Sequence, residues 1–90
     1  MILVLFWGSV AAQQYSSSSR RAIKKYEQAR EFYHLGEDDR AEEALLMAVR
    51  VDGDFVEAFQ LLAQICYDQD RIGEATEYFS RSLYLDPEGN

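Results

Sequence analysis

Residues 56–90, VEAFQLLAQICYDQDRIGEATEYFSRSLYLDPEGN, decide the fold. Apolar and small side chains recur there at steps of three and four: Ala58, Phe59, Leu62, Ala63 and Cys66, then Ala75, Phe79, Ser82 and Leu83. At 3.6 residues per turn, that spacing returns each of them to one helix face. Asp54 and Glu57 give the first of these helices a capping start. Asp70 begins the second, and Asp86-Pro87 ends it, because proline cannot continue a helix.

The same signals recur upstream. Ile23, Tyr26, Ala29, Phe32 and Tyr33 form one stripe until Gly36 breaks it. Asp39 and Glu42 then open a helix carrying Ala41, Ala44, Leu45, Ala48 and Val49, which closes at the Asp52-Gly53 turn. A shift of 34 positions places Ala29 on Ala63, Tyr33 on Tyr67, Ala41 on Ala75 and Asp52 on Asp86. Leu45 falls on Phe79, Ala48 on Ser82 and Val49 on Leu83. A rival shift of 31, pairing Asp39-Arg40 with Asp70-Arg71, loses the agreement at the turns. Four helices with short connections pack as antiparallel neighbours, and the period makes the second pair a copy of the first.

This period and pattern resemble the tetratricopeptide repeat family of stacked helix-turn-helix units. Ala29, Ala41 and Ala48, then Ala63, Ala75 and Ser82, stand at the family's three small positions, while Phe59, Leu62, Tyr67 and Phe79 take large ones. Helices 8–10 Å apart leave no room for bulk at the crossing. The resemblance covers residues 22–90. Its first unit departs from the family: Lys25 and Gln28 stand at usually large apolar positions, and Asp38 replaces an aromatic. The expected fold is all-α, a short right-handed solenoid of about two units, 22–55 and 56–90, within a domain spanning 20–90.

In that family the first helix of each pair lines a concave groove for peptides or partner domains. The resemblance places Ile23, Tyr26, Glu27, Arg30, Tyr33 and His34 there from unit one, and Glu57, Gln60, Leu61, Gln64, Tyr67 and Asp68 from unit two. The partner-contact candidates are Tyr26, Arg30, Tyr33, His34, Gln60, Gln64 and Tyr67. Tyr33 and Tyr67 are also candidates for packing between helices, and Tyr26 with Arg30 for a cation–π pair one turn apart. The Lys and Asn carboxylate clamp of chaperone-binding members is missing: Tyr26, Gln60, Leu61 and Gln64 occupy such places, with Arg30 the one cation.

Residues 1–12, MILVLFWGSVAA, are apolar but shorter than the roughly 20 residues of a spanning helix. They read as a cleaved export signal, with Val10-Ala11-Ala12 as the cleavage context before Gln13, although no basic residue precedes them. A truncated anchor flanked by Arg20 and Arg21, or a short arm, are the alternatives. Residues 13–19 read as a flexible polar lead-in. Export would place the protein in the periplasm or cell envelope; a cytoplasmic location is the alternative.

With 90 residues the chain forms one small domain, and 48% hydrophobic content is too high for intrinsic disorder. A net charge of −7 argues against nucleic-acid binding, which needs clustered cations. Arg20, Arg21, Lys24, Lys25 and Arg30 read as a solvated helix face or a juxtamembrane patch. One cysteine, Cys66, excludes an internal disulfide and a Cys-based metal cage, and its place in an apolar stripe makes it a core thiol. His34 is the single histidine, so no Cys–His nucleophile is expected. Asp38, Asp39, Glu42 and Glu43 sit at a helix start, where carboxylates oppose the macrodipole, rather than forming an acid–base pair. No phosphate loop or calcium-loop spacing occurs.

The expected function is therefore protein or peptide binding, without enzymatic activity, cofactor or metal. The fourth helix should expose part of Phe79, Leu83 and Tyr84, since no further polar helix follows it here. That face fits either the N-terminal part of a longer chain or self-pairing. An oligomerisation or membrane-tethering element, using residues 1–12 and the last helix, is the alternative function.

Overall fold

The computed structural model describes residues 15–88, so the signal and cleavage expectations for residues 1–12 lie outside the described residues. Four helices follow in order: α1 (Arg20–His34), α2 (Asp38–Val51), α3 (Val56–Asp68) and α4 (Ile72–Leu85). α1 packs on α2, α3 packs on α4, and α2 joins the pairs by packing on α3. None of these helices is long and apolar enough to cross a membrane.

The 34-residue period is visible in the backbone. α1 ends with Gly36 at φ 78°, where Gly36 N–H donates to Tyr33 O (3.0 Å) and Glu37 N–H to Phe32 O (2.8 Å). α3 ends the same way. Asp70 takes φ 60°, with its N–H on Tyr67 O (3.1 Å) and that of Arg71 on Cys66 O (2.8 Å). This left-handed cap satisfies the last carbonyls of a helix and suits glycine, with aspartate the tolerated substitute. Asp70 therefore closes α3 instead of opening α4, which starts at Ile72 with Arg71 at its N-cap. The ends of α2 and α4 also correspond, Asp52 N–H bonding Ala48 O and Asp86 N–H bonding Ser82 O.

The expected acidic capping starts differ from the structure. α2 begins at Asp38, so its N-cap falls at Glu37 rather than Asp39, and Glu37 makes no side-chain cap bond. α3 has Phe55 at its N-cap, a side chain unable to cap, while Asp54 instead donates its N–H to the Asp52 carboxylate (3.0 Å). The missing cap comes from far away: Val56 N–H donates to Ser16 Oγ at 2.9 Å.

The supposed flexible lead-in is thus corrected over residues 15–19. Ser19 caps α1 by accepting from Ala22 N–H (3.2 Å), Ser17 accepts from Ser19 N–H (3.1 Å) and is buried, and Tyr15 packs against the core. Serines satisfy orphan amides at helix starts, and here two helices use them.

All six small positions are buried: Ala29, Ala41, Ala48, Ala63, Ala75 and Ser82. Phe55, Leu45, Leu62, Ile65 and Cys66 fill the core between them. Burial pushes the Cys66 thiol above its ordinary pKa, as expected of a core residue rather than a nucleophile.

Candidate protein-binding faces

The seven contact candidates are distributed over a seam between the units, a shallow cleft and a recess. Tyr26 and Tyr33 lie in the seam between the units. Tyr26 packs its ring 5.2 Å from Phe55 and 5.3 Å from Tyr15, and burial raises its pKa despite Arg30 nearby. The expected Tyr26–Arg30 stack is not formed; the cation–π contacts found are Arg40 over Phe32 and Arg81 over Phe59. Tyr33 donates its hydroxyl to Asp68 at 2.7 Å, a bond that holds its proton and raises its pKa. Gln64 Nε2 donates to the same carboxylate at 2.8 Å. Asp68 therefore ties α1 to α3.

Arg30 and His34 are exposed, and with Tyr15, Glu27 and Glu31 they line a shallow cleft of about 200 Å³. Gln60, Gln64 and Tyr67 face elsewhere. They meet Ala63, Ile72, Ala75, Thr76 and Phe79 around a recess of about 530 Å³ between α3 and α4.

The repeat explains why this recess exists. In unit one α3 packs on α2, and Leu45, the counterpart of Phe79, is 0% exposed, although Arg30, the counterpart of Gln64, stays at the surface. In unit two no helix takes that place among the described residues, and Phe79 is 53% exposed, Tyr67 64% and Tyr84 82%. Tyr67 thus differs from Tyr33 in burial although the two occupy the same register. A second opening, lined in part by Lys25, Gln28 and Phe32, marks where unit one carries polar residues at large apolar positions.

One cluster was not legible in the sequence. Arg71 makes paired bonds to Glu42 (2.9 and 2.8 Å) and to Glu74 (both 2.8 Å). These bonds hold both carboxyls below the usual glutamate range and raise the guanidinium in turn. Glu42, Glu74 and the Cys66 thiol lie within 4.8 Å of one another, a spacing open to a metal ion. Arg71 already takes both carboxylates, and the buried thiol favours its protonated form, so the arrangement is a fastener between α2 and α4. Ser16 was also missed, since nothing local in a serine run announces a cap for an amide forty residues away.

Comparison with curated proteins gives no match. Residues 56–88 match the family model of the tetratricopeptide repeat, which coincides with α3, α4 and the turn after them. Repeats of this family mediate protein–protein interaction and are typically non-enzymatic scaffolds. This match supports assigning the second helix pair to the tetratricopeptide repeat family, and the first pair repeats its backbone pattern.

Proposed function

We propose that this protein binds a partner protein by seating one of the partner's helices in the α3–α4 recess, with Gln60, Gln64 and Tyr67 at the contact. The observation that supports it is the contrast between equivalent positions: Leu45 is covered by the next helix, whereas Phe79 stands half in water. The occupant that fits is amphipathic, since α3 covers unit one with a stripe of aromatic and aliphatic residues at helical spacing. The formal charge of −7 further favours basic flanks on that helix.

The test is selection from a displayed library of helical peptides on the full chain, followed by titration of the selected peptides. Binding should disappear in Phe79→Lys and persist in Arg50→Glu, which lies on an exposed part of α2. Selected peptides that bind Phe79→Lys as tightly as wild type would overturn the assignment. A second copy as the occupant would show as a mass rising with concentration in light scattering and falling back in Phe79→Lys. Export through residues 1–12 is a separate proposal, tested by sequencing the mature N-terminus; retention of Met1 would contradict it.

A further inference from the structure

We propose that the seam between α1 and α3 recognises an extended segment in which an aromatic residue is followed directly by serine or threonine, with Tyr15-Ser16 as its resident occupant. The site shares no residue with the recess and does not depend on that reading. Tyr15 sets its ring edge against Tyr26 (5.3 Å, 75°) and Phe55 (6.2 Å, 67°), a geometry that only an aromatic side chain provides. The next residue is held from both sides. Ser16 Oγ accepts from Val56 N–H at 2.9 Å and donates to Glu57 Oε1 at 2.7 Å, while Ser16 N–H donates to the same oxygen at 3.1 Å.

A hydroxyl is what the position requires. It must accept from the first amide of α3 and donate to a carboxylate with one atom, which alanine and glycine cannot do. Aspartate could accept, but its charge would face Glu57. The residue after it, Ser17, is 5% exposed, so a small side chain is needed there.

The contact is built to exchange. Ser16 is exposed and its bonds to Glu57 lie at the surface, where water competes for each of them. Covalent attachment compensates by giving the segment an effective concentration of about millimolar. An outside segment with the same motif then competes only if it is concentrated or makes added contacts. The cleft of about 200 Å³ formed by Tyr15 with Arg30 and His34 offers a place for those contacts.

The test uses the full chain and a fluorescent peptide of residues 13–19. Vacating the seam with Tyr15→Ala/Ser16→Gly should raise affinity for the peptide at least about tenfold over wild type, because the tethered competitor is gone. The gain should vanish when the peptide carries Tyr15→Ala or the protein also carries Glu57→Ala. Equal binding by wild type and variant, no binding by either, or indifference to the peptide's tyrosine would each overturn the proposal. If the double variant does not fold, wild type decides the matter by NMR. Millimolar peptide should shift the Ser16 amide resonance toward its unstructured position, and an unmoved resonance would refute the exchange.

Discussion

Leu45 and Phe79 occupy the same place in successive units, and truncating each to alanine should cost very different amounts. Leu45 is fully buried, so Leu45→Ala loses both the transfer free energy and the packing around the cavity left behind, about 2–5 kcal/mol. Phe79 is 53% exposed and borders an open recess, so no closed cavity forms. Full burial of a phenylalanine is worth about 1.5–3 kcal/mol; with half of it realised, Phe79→Ala should cost about 1 kcal/mol. Urea unfolding followed by circular dichroism gives both values if the slope m stays constant. A domain this small has a total stability of about 5 kcal/mol, so Leu45→Ala unfolded without urea also meets the expectation. Equal losses for the two variants would refute the reasoning. So would a Phe79→Ala loss that grows with protein concentration, since a second copy would then be covering the face.

Three further outcomes follow from the same geometry. Ser16→Ala removes the side-chain cap that Val56 N–H uses and should cost about 1 kcal/mol, or about 4–8 °C in Tm; an unchanged Tm would contradict the long-range cap. Cys66 is fully buried with its pKa raised by burial, so a maleimide should label it only as the protein unfolds, over the same urea range as the loss of helix; prompt labelling of the native protein would place the thiol outside the core. Arg71 holds the Glu42 and Glu74 pKa values down, so its contribution is present above the ordinary glutamate range and is lost as pH falls through the lowered folded values. The urea midpoints of wild type and Arg71→Gln should therefore differ at pH 7 and converge only as pH falls below the ordinary glutamate range and both carboxyls become protonated, whereas a constant gap would mean that Arg71 acts through packing.

The helices and their stacking were legible because they rest on local periodicity and on a repeat that aligns small residues with small residues. Gly36 announced its turn by its conformational freedom. Asp70, its counterpart, did not, because an aspartate ahead of a helical stripe looks like an N-cap and here adopts a left-handed C-terminal conformation. The exposure of Phe79, Leu83 and Tyr84 was also readable, since it follows from counting units. What escaped were contacts between residues distant along the chain. Glu42 reaches Arg71 across 29 positions, and Ser16 reaches Val56 across 40. The candidate site split for a related reason. Tyr33 and Tyr67 share a register, but among the described residues only Tyr33 has a following helix to meet, so one is a tie between units and the other a wall of an open recess.

Hydroxyl-radical footprinting of the dilute protein tests most directly whether the second unit's outer face stands free while the first unit's is covered. Tyr67, Phe79 and Tyr84 should oxidise quickly, and Leu45 and Phe55 should be protected. Protection of Phe79 to the level of Phe55 would contradict the account, because the face assigned to a partner would already be filled.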